Sequence, residues 1–392
     1  MGSDINIVMR KAMSHKFIPV CEPCLAGNEL EYITDAVRTG WISSAGKYVT
    51  EFERTFAEYC GVDYAVGVCN GTVALHLALV ALGVGPGDEV IIPDFTMIAT
   101  AFAVCYTGAR PVFVDAHPDT WNIDASKMEE KITKRTRAIL PVHIMGLLCD
   151  MPAIDKLAKK HRLFVLEDAA EAHGAEYRGR RAGSFGDISA FSFFANKNLT
   201  TGEGGMVVTN NADLYKRSRY HKNLCFPLEG GREYRHDDIG FNYRISNLHA
   251  AIGLAQVERA DELRAMRRKN HALYVEMLSG IPGISFQKDD NPDYLHVHWM
   301  NAILVDEKEY GMGRDALMER LRANGIDSRK LFTGMHRQKA LERYGCDTRG
   351  EYPVTDMLSD RGLYLPSGSG LSEMDIQRIC DEIRVFKTSE LK

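Results

Sequence analysis

The stretch that decides the fold is Leu163-Phe164-Val165-Leu166-Glu167-Asp168, four apolar residues that run without a break into two acids. So short an apolar run suits a strand buried on both faces, and the segment Met151–His161 before it carries a helical pattern. The alternation continues upstream, with strands expected at 89–92, 111–114 and 138–142, and helical segments at 97–106 and 125–132. Apolar strands separated by crossover helices give a mostly parallel sheet covered on both faces. Ligands of such sheets lie beyond the carboxyl ends of the strands. The residues just past those ends are Pro93-Asp94, Asp115, His143 and Glu167-Asp168, so chemistry is expected there.

After Ser246, a helix with Leu248, Ile252 and Ala255 on one face leads into the charged stretch 256–269. This reads as a long connecting helix that leaves a large domain. The expected division is a polar tail at 1–16, a large domain at 17–269 and a smaller α+β domain at 270–392. The last contains a strand at 298–305, a helix at Arg314–Ala323 and a final helix from Ser372. A chain of 392 residues suits two domains that share an interface.

Hydrophobic residues make up 45% and charged ones 26%, the balance of a soluble enzyme. A net charge of −5 without a basic run argues against a nucleic-acid partner. No stretch approaches the roughly 20 apolar residues of a membrane span, and no apolar leader opens the chain. Nine scattered cysteines fit a reducing cytoplasm. The one close pair, Cys21 and Cys24, has no second pair with which to build a zinc site, so no metal is expected.

Three segments carry candidate chemistry. Cys69-Asn70-Gly71-Thr72 joins a strand at Tyr64–Val68 to a helix at 73–82. Gly71 permits a tight turn, Thr72 is a good N-cap, and the free N–H groups there suit an anion; an ordinary capped helix has the same pattern. Asp168, at a buried strand end, needs a cationic partner, which a protonated pyridine nitrogen or an arginine supplies equally well. Glu171 and His173 follow within a turn and are expected to face the same pocket. Lys197 stands in Ser192-Phe193-Phe194-Ala195-Asn196-Lys197, just past another apolar strand and before Gly202-Glu203-Gly204-Gly205. A lysine there has its pKa lowered toward a nucleophilic amine. An amine and an acid at two strand ends are what a pyridoxal 5′-phosphate (PLP) site requires, and Ser192 adds a hydroxyl for the phosphate. The glycine-rich turn lacks the P-loop order, no G-x-S-x-G elbow occurs, and no G-x-G-x-x-G follows the first strand.

Together these segments resemble the PLP-dependent nucleotide-sugar aminotransferases of the DegT/StrS kind. The matching runs include Gly40-Trp41-Ile42-Ser43-Ser44, Asn70-Gly71-Thr72-Val73-Ala74-Leu75, Glu167-Asp168-Ala169-Ala170-Glu171-Ala172, Thr200-Thr201-Gly202-Glu203-Gly204-Gly205, Gly240-Phe241-Asn242-Tyr243-Arg244 and Leu363-Tyr364-Leu365-Pro366. The resemblance implies the aspartate-aminotransferase fold (fold type I) and transfer of an amino group from L-glutamate to a nucleotide-linked keto sugar. Within the family the chain is most similar to the branch that aminates C4 of GDP-4-keto-6-deoxymannose to GDP-perosamine. The resemblance further implies that Lys197 bonds the cofactor and shuttles a proton, and that Asp168 pairs with the ring nitrogen. Gly71, Thr72 and Ser192 would hold the phosphate, and Glu171 would lie near the ring hydroxyl, protonated or sharing a proton there. Asn242 would reach a phosphate across the interface of a homodimer with shared active sites. Trp41, Ser43 and His336 are the implied substrate contacts.

Two departures from the pattern stand out. Met97 occupies a position where many relatives carry an aromatic residue that stacks on the cofactor; its sulfur can still pack there. In the substrate loop, Phe332-Thr333-Gly334-Met335-His336 shares only its final histidine with the His-Pro-Met-His of the perosamine branch. Retention of Lys197 argues against the family's dehydratase branch, in which histidine replaces it. The remaining rivals are an aminotransferase for a different nucleotide-linked 4-keto or 3-keto sugar, a cofactor sensor without catalysis, and an α/β nucleotide-binding enzyme without PLP.

Overall fold

The computed structural model describes residues 16–229 and 234–389; the expected tail at 1–16 lies outside them except for Lys16. Strands β1 (Tyr64–Val68), β2 (Glu89–Pro93), β3 (Arg110–Val114), β4 (Thr136–Ile139) and β5 (Phe164–Asp168) are followed by a short hairpin, β6 (Glu176–Tyr177) and β7 (Arg180–Arg181), then β8 (Ile188–Ser192) and β9 (Gly205–Thr209). Seven of them form one sheet in the order β1-β9-β8-β5-β4-β2-β3. Strand β9 is antiparallel to both neighbours and the other pairings are parallel, so the sheet is mixed and mostly parallel. Every residue of β2, β8 and β9 is buried, as an apolar run covered on both faces requires.

Beneath the sheet runs the helix Gly71–Leu82, with Ala74 through Leu79, Ala81 and Leu82 all buried. Its Ala/Leu-rich sequence favours helix, and Gly83 ends it at φ +77°. The cap is Asn70, not the expected Thr72: the Asn70 side chain accepts from Val73 N. Nor does Gly71 adopt a left-handed turn. A Cβ there would come within 2.6 Å of Ser192 Cβ, so the glycine allows the helix start to meet β8.

The C-terminal part of the chain contributes β10 (Ile284–Phe286), β11 (Tyr294–Leu295), β12 (Asn301–Val305), β13 (Arg329–Lys330) and β14 (Gly362–Leu365). Four of these make an antiparallel sheet, β10-β12-β14-β13, over a core that includes Tyr274, Tyr310, Leu317, Leu321, Ile376 and Ile383. Ile18 belongs to the same core and exchanges backbone bonds with Gly325 and Asp327. The helix Ala260–Leu278 spans the expected boundary at 269/270 without a break.

Two expected elements differ. Residues 125–132 form two 3-10 turns, Ala125–Lys127 and Glu129–Lys131, because the charged segment has only Met128 fully buried and too narrow an apolar stripe for a longer helix. The strand expected from 298 begins at Asn301: His298 takes φ +48°, and Trp299 N bonds Met145 O instead of a neighbouring strand. Among the described residues, no helix is long and apolar enough to cross a membrane.

Candidate active site at the strand ends

The chain itself satisfies most of the polar groups at the strand ends. Glu167 is fully buried and accepts from His143 Nε2 (3.0 Å), Gly183 N (3.0 Å), Phe185 N (2.7 Å), Gly186 N (2.8 Å) and Ser189 Oγ (2.8 Å). Burial pushes its pKa up, but the His143 bond and the amides of Gly186 and Gly183 prevail and hold it below the ordinary value. His143 accepts Cys149 N on Nδ1, which fixes the proton on Nε2. Asp115 accepts the N–H groups of Thr355 and Val354 at the start of the helix Pro353–Arg361. Asp94 accepts from His336 N (2.8 Å) and pairs with His336 Nδ1 (2.6 Å), while His336 Nε2 lies 3.1 Å from Asp356. Both ring nitrogens of His336 are therefore engaged.

Asp168 is the exception. Its Oδ2 accepts from Thr100 Oγ1 at 2.8 Å and its Oδ1 from Ala170 N at 3.2 Å, and no other hydrogen bond reaches it among the described residues. Burial raises its pKa against the lowering by Thr100, Ala170 and Lys197. Glu171, also buried, accepts from Met145 N at 2.7 Å, and burial carries its pKa to about 7. Both carboxylates face Lys197, whose pKa burial lowers and the two acids partly restore. The Lys197 Nζ stands 3.7 Å from the centroid of the Trp299 ring.

The loop that carries Lys197 is held in place from below. Phe193 O accepts from Thr201 N (2.9 Å) and Thr200 Oγ1 (3.1 Å), and Lys197 N bonds Phe194 O (2.9 Å). The carbonyl of Asn196 accepts from Trp299 Nε1 (3.0 Å) and Arg267 Nη2 (3.4 Å). Arg267 is buried and also reaches Trp299 O (2.7 Å) and Ser369 Oγ (3.0 Å). Neither Arg267 nor Thr100 stood out in the sequence, since nothing local marks them; the bonds that Thr100, Arg267 and Trp299 make here span 68 to 103 residues.

At the other side, Asn70 takes up Val73 N, leaving the amides of Gly71 and Thr72 without a hydrogen bond among the described residues. They open beside Ser192. Met97 is half exposed, with its Sδ 3.0 Å from Ala99 N. Asn242 is exposed and bridges to Asn223. Trp41 and Ser43 are exposed as well, their carbonyls held by Asn247. His173 does not share the pocket as a polar group: its ring packs among Phe56, Phe191 and Phe193 without a hydrogen bond, and burial drops its pKa to about 3.

Residues 23–384 match the model of the DegT/DnrJ/EryC1/StrS aminotransferase family. The chain belongs to this family. It is 45% identical over 362 residues to the GDP-perosamine synthase of Caulobacter vibrioides, covering 92% of this chain and 96% of that protein. The GDP-perosamine synthase of Escherichia coli O157:H7 is 44% identical over 372 residues, with 95% and 99% covered. Among solved structures, DesV of S. venezuelae, determined in complex with a ketimine intermediate, superposes with a TM-score of 0.87 at 36% identity over 95% of this chain and 99% of that one. This family member is a transaminase, and its cofactor is PLP. The strand ends fit that group: among the described residues no cation hydrogen-bonds Asp168 and the amides of Gly71 and Thr72 lack an acceptor, while Lys197 is a half-buried amine facing two acids. Buried Asn198, next to Lys197, leaves both amide atoms unbonded among the described residues.

Proposed function

We propose that this transaminase moves the amino group of L-glutamate onto C4 of GDP-4-keto-6-deoxymannose, giving GDP-perosamine. The observation that carries this reading is the half-buried Lys197 amine held over Trp299 beside two acids of raised pKa. The 44–45% identity to two GDP-perosamine synthases supports the choice of sugar.

PLP supplies an aldehyde that accepts the amino group and a ring that withdraws electrons from the reacting carbon. Gly71, Thr72 and Ser192 would hold its phosphate, Asp168 its ring nitrogen, Glu171 the side of its hydroxyl, and Met97 one ring face. Lys197 Nζ would be the amine that holds the cofactor and the base that would move the proton at Cα of glutamate. Desolvation favours that role because it lowers the amine's pKa. Thr100 orients Asp168, and Met145 N orients Glu171. Trp299 and Arg267 hold the lysine loop through Asn196 O, so Nζ stays aimed while the glutamate donor and the acceptor sugar exchange.

Exposed apolar side chains on the segments that carry the site, Trp41, Ile42, Met97 and Phe194, support a homodimer in which Asn242 of one subunit completes the site of the other. A cavity of about 740 Å³ beside Ser43, lined in part by Arg219, Lys222 and Arg244, has the charge for a phosphate group. A cytoplasmic location fits the nine free cysteines. A second reading, a different nucleotide or keto sugar, is favoured by His336, whose engaged nitrogens leave it no free edge for a substrate.

The test is a panel of GDP-, dTDP- and UDP-linked 4-keto-6-deoxy sugars with glutamate, products read by mass spectrometry. Amination of the GDP-mannose derivative alone upholds the proposal, and amination of a UDP sugar alone moves the chain to a neighbouring branch. Lys197→Ala should still bind PLP yet lose on the order of 10⁴-fold or more in turnover; normal 2-oxoglutarate release by that variant removes the lysine from the mechanism.

A further inference from the structure

Outside the strand-end site, the fold brings a second group of reactive side chains together. His271 lies on the helix Ala260–Leu278, Asp289 on the loop after β10, and His296 and His298 on the segment that leads into β12. One ligand atom each from His271, Asp289 and His298 lie within 4.8 Å of one another. Asp289 Oδ2 stands 3.3 Å from His298 Nε2 and 3.6 Å from His296 Nδ1. Tetrahedral zinc, with bonds of about 2.0–2.1 Å, keeps its ligand atoms about 3.4 Å apart. The rings are already gathered: His271 and His298 stack with centroids 3.6 Å apart, and His296 and His298 lie 3.7 Å apart.

Hydrogen bonds elsewhere fix which nitrogens carry protons. Asn301 Nδ2 gives to Ser367 Oγ (3.3 Å), which turns Asn301 Oδ1 toward His271 Nδ1 (3.0 Å). That nitrogen must donate, so the lone pair of His271 is on Nε2. Likewise His296 Nε2 donates to Met145 O (2.9 Å), so its lone pair is on Nδ1. His296 is only 4% exposed, and its Nδ1 makes no hydrogen bond among the described residues. A buried lone pair with no donor, 3.6 Å from a carboxylate oxygen, needs a partner that the described residues do not supply. Metal-bound imidazoles characteristically donate their other N–H to a carbonyl in this way.

We propose that His271, Asp289 and His298, with His296 Nδ1 as fourth ligand, bind one divalent transition-metal cation of the zinc class. Three imidazole nitrogens and one carboxylate oxygen suit such an ion and do not suit magnesium or calcium, which take oxygen ligands. The ion would staple the 287–298 segment to the long helix, with His298 held in its left-handed conformation at φ +48°. Trp299, the next residue, carries the ring under Lys197, so the staple would stiffen the floor of the active site.

The experiment uses the untagged holoenzyme, stripped with a chelator, dialysed, and titrated with Co²⁺ and then Zn²⁺. The expected result is one Co²⁺ per chain, displaced by Zn²⁺, with a spectrum of nitrogen and oxygen ligation and no sulfur-to-metal charge transfer. His298→Asn and His271→Gln should each weaken uptake at least about tenfold. Asparagine tolerates the left-handed backbone at 298. Because loss of a buried ring could unfold the chain, Asp289→Asn on the exposed loop is the second variant, checked by retention of bound PLP. The proposal is overturned if the wild type takes up no stoichiometric metal, if folded Asp289→Asn takes it up equally well, or if sulfur ligation places the metal on cysteines.

Discussion

Glu167 and Asp168 follow one another on β5 and are both buried, but they point to opposite faces of the sheet and meet opposite surroundings. Glu167 accepts five hydrogen bonds from the chain and is held below the ordinary carboxylate pKa. Asp168 accepts two and is pushed above it. A buried carboxylate is costly unless it is paired. The chain has completed the pairing on one face and left it open on the other, so the open face is where a cationic ligand atom belongs. Count of acids at a strand end does not distinguish the two; their unspent hydrogen-bonding capacity does.

The comparison is broken most forcefully by exchanging charge for amide on each face. Asp168→Asn should fold normally and lose about 10²–10³-fold in kcat. Glu167→Gln should instead lose about 3 kcal/mol of stability, because it weakens a buried, fully bonded acid, while folded molecules keep their turnover. Thermal melts and 2-oxoglutarate assays on the two variants check this. A stable but inactive Glu167→Gln would mean that both faces serve the reaction.

A second contrast concerns pH. Glu171 has a folded pKa of about 7 against 4.5 for a free glutamate, so it contributes stability below pH 4.5 that is lost as pH rises toward 7. Glu167, with its pKa depressed, contributes above 4.5 and loses that contribution as pH falls through its folded value. Urea midpoints of the cofactor-free chain should therefore decline between pH 4.5 and 7, and Glu171→Gln should flatten that decline. An unchanged slope in the variant would assign the effect to another group. The smallest effect is expected for Thr100→Val, which removes one bond to Asp168. It should reduce kcat about five- to tenfold and leave the KM for the sugar nearly unchanged.

Much of the large sheet was legible because its strands are short apolar runs whose ends are marked by polar residues. Asp168 and Lys197 were legible for the same reason, as single residues placed by strands on either side of them. What sequence could not resolve was competition for partners. Asp94, Asp115, His143 and Glu167 look like candidates at their strand ends until His336, Thr355 and the amides near Gly186 are folded against them. His271 and His296 escaped notice, and His298 was read only as the start of a strand, because a helix and a loop, not a short spacing, unite the three; attention to metal fell on Cys21 and Cys24. Asn70 displaced Thr72 as cap because its side chain reaches Val73 N from the extended residue just before the helix.

The carbonyl of Asn196 has a thermal consequence. Donors from the long helix and from the segment before β12 converge on that oxygen, while Cys21 near the chain start lies 3.6 Å away. Heating that loosens the C-terminal sheet would therefore unmoor the lysine while the seven-stranded sheet still stands. Inactivation should precede melting, and fading of the yellow cofactor colour would be its earliest visible sign.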